Sequence, residues 1–90
     1  MKITPKISSK HQRTLTAVFA RPVSPSIKWG DIESLFVALD AEIEEREGSR
    51  ISVTLRHETQ VYHRPHPKPE TDKGAVNSVR KWLEKLGYNP

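Results

Sequence analysis

The chain has 90 residues, a formal charge of +4, 34% apolar residues and no cysteine. That suits one small domain and excludes a disulfide framework, a cysteine-based zinc site and a thiol nucleophile. No apolar run approaches the roughly 20 residues of a membrane span, and the opening MKITPKISSK lacks the apolar core of a secretory signal, so a cytoplasmic protein is expected.

The charge is segregated. Residues 1–28 carry six Lys/Arg and no acid, residues 29–47 one Arg against seven acids, and residues 48–90 eight Lys/Arg against four acids. Two different surfaces are expected, the basic one suited to a polyanion such as nucleic acid.

In chain order, residues 1–8 read as a flexible, basic tail. A helix is predicted over 9–20, capped by Ser8 or Ser9, with Leu15, Val18 and Phe19 as its apolar stripe. The prolines of RPVSPS end it. A second helix is predicted over 28–39, where Trp29, Ile32, Leu35, Phe36 and Leu39 recur on one side and Asp31 and Glu33 lie in the first turns. This stripe reads as core. Residues 41–47 read as a solvated edge strand because of their four glutamates. Gly48-Ser49 is a turn signal. Residues 50–56 alternate clearly: Ile51, Val53 and Leu55 point one way, Arg50, Ser52, Thr54 and Arg56 the other.

A hairpin turn is predicted at His57-Glu58, followed by a strand over 59–63. If Val61 faces the core, His63 shares its face near the strand end, and Gln60, Tyr62 and Arg64 join the polar face. The open face would then carry Arg50, Ser52, Arg56 and Tyr62. The last helix has the widest apolar face, built from Ala75, Val76, Val79, Trp82, Leu83 and Leu86, with Asn77, Arg80, Lys81 and Glu84 on the exposed side. Thr71 or Asp72 caps its start and Gly87 suits the left-handed residue after its end. The order helix, helix, three strands, helix predicts an α+β domain: a three-stranded antiparallel sheet with helices on one face and the other face open.

The stretch Tyr62–Lys73, YHRPHPKPETDK, concentrates two histidines, an arginine, two lysines and three prolines. So many polar groups place it on the surface, and the prolines stiffen it. It ends at a helix N-terminus, where a phosphate can be held. Its other reading is a soluble proline-rich connection.

From Trp29 onward the chain resembles the HicA toxins of bacterial HicA–HicB toxin–antitoxin pairs. The features that carry the resemblance are the helix WGDIESLFVAL followed by a strand, the turn Gly48-Ser49 where the family has Gly-Ser-His, the element His66-Pro67 after the third strand, and Asp72-Lys73-Gly74 opening the helix AVNSVRKWLEKLGY. The resemblance implies a fold like a double-stranded-RNA-binding domain over residues 29–88, with residues 9–28 as an added helix and loop. It also implies an mRNA-binding toxin that cleaves mRNA to inhibit translation, restrained by a HicB-like antitoxin. The chain departs from the family at one point: Arg50 stands where the family's catalytic histidine follows Gly-Ser. An arginine stays protonated, so it binds phosphate but is no general base.

Metal-independent cleavage of RNA needs a base for the 2′-hydroxyl, an acid for the leaving oxygen and a cation at the phosphate. His63 and His66 are the candidates for the first two roles, with Arg50 and Arg64 as cations. The alternative is a loop histidine bonded to backbone at residue 66 and a strand-end histidine packed beside Trp82 or Val79 at residue 63. Arg50, Arg56, Arg64, Lys68, Lys73, Arg80 and Lys81 are the candidate phosphate contacts, and Tyr62 is a stacking platform if it lies on the open face. No metal or other cofactor is expected: His57, His63 and His66 do not have the spacing that enforces a metal site. The alternative function is a catalytically silent relative that binds RNA or an antitoxin.

Overall fold

The computed structural model describes residues 3–90. The elements are α1 (Ser9–Phe19), α2 (Trp29–Ala38), β1 (Glu42–Glu45), β2 (Arg50–Leu55), β3 (Glu58–His63) and α3 (Lys73–Lys85). The strands form one antiparallel sheet in the order β1-β2-β3, so β1 and β3 are its two edges. The three helices and one face of this sheet enclose a single core. This is the α+β fold of double-stranded-RNA-binding domains, with an additional N-terminal helix.

Each helix starts and stops for a local reason. The Ser8 side chain accepts from the His11 N–H at the start of α1, and Asp72 does the same for Ala75 at 2.7 Å at the start of α3. After α3, Gly87 takes φ 95°. Its N–H donates to the Glu84 carbonyl and the Tyr88 N–H to the Leu83 carbonyl, the paired closure that only a left-handed residue permits cheaply. Gly48 and Ser49, both at positive φ, turn the chain from β1 into β2.

The core is aromatic at its centre. Tyr62 lies within 5.6 Å of Trp29, 6.0 Å of Phe36 and 6.3 Å of Trp82, centroid to centroid. Phe36, Ile32 and Leu35 of α2, Ile51 and Val53 of β2, and Val76, Val79 and Leu83 of α3 are fully buried around it. Leu15 and Val18 of α1 are equally buried, so α1 belongs to the core rather than resting on it.

Three expectations are corrected. The hairpin turn is Arg56-His57, both at positive φ, not His57-Glu58. Leu55 therefore pairs with Glu58 and Ile51 with Tyr62. A slip of one residue inverts the strand: Tyr62 enters the core at 7% exposure while Val61 is 54% exposed. Burial of the larger aromatic surface favours this register. Tyr62 therefore offers no stacking platform for a base. Second, Arg80 is not on the exposed side of α3 but 7% exposed. The added helix α1 packs against α3 as well as α2 and gives α3 a second covered side. Third, residues 3–8, expected as a flexible tail, are tied at Ile3: its N–H donates to the Gly87 carbonyl, and Asn89 donates to the Ile3 carbonyl at 2.7 Å. Met1 and Lys2 lie outside the described residues.

Candidate functional site

The register fixes what the open face displays. Ile51, Val53 and Leu55 are turned inward, so Arg50, Ser52 and Thr54 of β2 face out. Their partners on β3 are His63, Val61 and Thr59, and on β1 Glu44 lies beside Ser52 and Glu42 beside Thr54. Thr54 and Thr59 share a hydrogen bond at 2.8 Å across the ladder. Ser52 is covered although it faces out, because the Arg46 side chain lies over it and its Nε donates to the serine Oγ at 3.2 Å.

At one end of this face Arg50 and His63 stand directly opposite each other, and both are exposed. The Arg64 N–H donates to the Ser49 carbonyl at 2.9 Å. Ladder bonds alternate, so with residues 49 and 64 at a hydrogen-bonded position Arg50 and His63 form a non-hydrogen-bonded pair. Such pairs have the closest side chains in a sheet, with Cα atoms about 4.5 Å apart. The Arg50 Nε is held by the Glu47 carbonyl at 2.9 Å, leaving its terminal nitrogens toward solvent.

Arg64 occupies a different position. It lies on the core side, where its guanidinium clasps two elements at once. It donates to both oxygens of Glu33 on α2, at 2.8 and 3.1 Å, and to both oxygens of Glu45 on β1, at 2.6 and 2.7 Å. These bonds raise the Arg64 pKa and hold Glu45 below the usual carboxylate range. The Trp29 indole N–H donates to the same Glu33. Arg64 is therefore engaged by carboxylates at every donor the clasp uses, rather than open to phosphate. No local pattern signals this clasp, because its acids lie 31 and 19 positions away.

The remaining cations divide. Arg80 is buried and bonded along its own helix, to Glu84 at 2.7 Å and Asn77 at 2.9 Å. Arg56 lies at the opposite end of the sheet, over the Tyr88 ring at 5.9 Å. His66, Lys68 and Lys73 are exposed along the connection from β3 to α3. That connection is tied down before α3: the Trp29 N–H donates to the Pro69 carbonyl and Thr71 to the Ile27 carbonyl. Lys81 borders a groove of about 520 Å³ between α3 and the β3 edge, with Gln60, Asn77 and Ser78. The structure thus pairs Arg50 with His63 across the ladder, leaves His66, Lys68, Lys73 and Lys81 exposed, and removes Arg64, Arg80 and Tyr62 from the open surface.

A sheet with one bare face, edged by acids at β1 and by lysines near α3, defines a small α+β protein built to present a flat surface. The family described as the HicA toxin of bacterial toxin–antitoxin systems matches residues 29–88. The chain belongs to that family, and membership implies a cognate antitoxin as partner. Searches of curated proteins and of solved structures return no match. Among the described residues no helix is long and apolar enough to cross a membrane.

Proposed function

We propose that this toxin binds mRNA over the open face of its sheet, cleaves it without a metal, and is restrained by a HicB-like antitoxin. The reading rests on one observation above all, the cross-strand pair Arg50 and His63. The family resemblance puts a histidine directly after Gly48-Ser49. In this chain the guanidinium has that place and an imidazole stands opposite it, one strand over. The same patch of the open face then holds both groups.

The chemistry follows from those two side chains. Neutral His63 takes the proton of a ribose 2′-hydroxyl as its oxygen attacks the adjacent phosphorus. The bond from phosphorus to the 5′-oxygen breaks, and that oxygen takes a proton from an imidazolium, for which His66 is the candidate. The products are a 2′,3′-cyclic phosphate and a free 5′-hydroxyl. Arg50 binds the non-bridging oxygens, where negative charge gathers in the transition state. Lys68, Lys73 and Lys81 meet flanking phosphates, with the N-terminus of α3 adding its dipole.

Arg50 also favours a second reading, a catalytically silent RNA-binding toxin relative. Induced expression in a bacterium separates the two. The ribonuclease predicts growth arrest with loss of mRNA, relieved by His63→Ala in protein that stays soluble. Harmless growth with intact mRNA, from soluble wild-type protein, would support the silent binder.

A further inference from the structure

The edge strand β1 is the part of this molecule that the RNA reading leaves unused. The Arg46 N–H donates to the Arg50 carbonyl at 2.8 Å. By the alternation of an antiparallel ladder, residues 42, 44 and 46 turn their backbone groups toward β2. Ile43 and Glu45 therefore present their N–H and C=O groups outward, with no strand beside them among the described residues. The two faces along this edge differ. On the helix side a groove of about 760 Å³ opens between β1 and α2, floored by Ile43, Ala38 and Val37, the last 60% exposed. On the open side Glu42 and Glu44 are exposed and form no ion pair among the described residues.

We propose that β1 receives a fourth strand from the antitoxin, an extended segment in which basic and aliphatic residues alternate. A strand has period two, so one that pairs with Ile43 and Glu45 sends alternate side chains to opposite faces. Those on the helix side pack on Val37 and Ile43, which favours aliphatic residues, with the Arg64 clasp lining the same groove. Those on the open side come to rest beside Glu42 and Glu44, which requires Lys or Arg. The charge that guards the edge against another copy of β1 thus selects an oppositely charged partner. The identity of the partner rests on the antitoxin reading; the geometry of the edge does not, and neither depends on RNA cleavage.

The test uses the full chain, isotope-labelled, titrated with an eight-residue peptide of alternating Lys and Val and with its Glu-Val counterpart, while amide shifts are followed by NMR. The inference expects the Lys-Val peptide to shift the amides of Val37, Ile43 and Glu45 and to slow hydrogen exchange at Ile43 and Glu45. The Glu-Val peptide should not bind. Glu42→Lys with Glu44→Lys should weaken the Lys-Val peptide by about tenfold or more, as two opposite-charge pairs become like-charge pairs. Val37→Asp, at an exposed site that folding does not need, should weaken it as well. Equal binding of both peptides, or shifts confined to Arg50 and His63, would overturn the inference. So would concentration-dependent shifts at Ile43 and Glu45 without peptide, which would mean that the edge pairs with a second copy. Mapping the shifts needs no ribonuclease activity, so a failure here leaves the cleavage reading standing, and the reverse holds too.

Discussion

Arg64 shows how one side chain does work that its neighbours in sequence do not announce. It follows His63 directly, yet alternation turns it to the core side, where Glu33 and Glu45 close on it. The clasp ties the end of β3 to α2 and β1 and so steadies the strand end that carries His63. It has a pH signature. The Arg64 bonds lower the Glu45 pKa from its ordinary 4.5. A carboxylate with a lowered folded pKa contributes stability that is fully present above the unfolded value and is lost as pH falls through the folded value. The wild-type protein should therefore lose stability as pH drops below about 4.5. In Arg64→Ala that part of the acid-side loss should be missing and the neutral-pH stability lower. Parallel pH profiles of urea unfolding for the two proteins check this; identical profiles would mean that the clasp stabilises nothing.

Among the elements, β3 carries the sharpest lesson. The hydrophobic pattern of the other segments was enough: the apolar stripe of α2, the inward alternation of β2 and Val76, Val79, Trp82 and Leu83 of α3 correspond to buried residues. In TQVYH the pattern is ambiguous, because Val61 and Tyr62 are adjacent and either can point inward. The hairpin would have decided it, but Arg56-His57 is a two-residue turn at positive φ without the Asn or Gly that marks such turns. The register settles the matter through the aromatic cluster around Tyr62. Accordingly, Tyr62→Ala should cost about 3–5 kcal/mol, the usual range for truncating a large buried aromatic. Val61→Ser, at an exposed site, should stay within about 0.5 kcal/mol of wild type. Urea unfolding of both variants tests the assignment, and the opposite order would restore the register with Val61 inside. The same slip carries through to the site: only with Tyr62 inward does His63 come out beside Arg50.

For the whole molecule, charge segregation has become spatial. The acidic run 29–47 forms α2 and β1 at one edge of the sheet, while Lys81 and Lys85 of α3 border the β3 edge. This division was legible in composition. The role of the N-terminal residues was not, because an added helix with a narrow stripe gives no hint of what it covers. The structure shows Leu15 and Val18 fully buried and α1 packed on both α2 and α3. Leu15→Ala should therefore cost about 2–5 kcal/mol. Deleting residues 1–28 should leave a chain without cooperative thermal unfolding by circular dichroism, although it keeps the whole segment matched by the family. A cooperative transition in that fragment would show that α1 is dispensable.

Cleavage of a defined RNA by the purified full chain in excess EDTA is the direct test of whether His63 serves beside Arg50. Wild type should cut, leaving a 2′,3′-cyclic phosphate, and His63→Ala should cut about 10²–10⁴-fold more slowly with its circular dichroism unchanged, the usual loss for an acid–base group. A folded His63→Ala protein that cuts at the wild-type rate would contradict a catalytic role for His63.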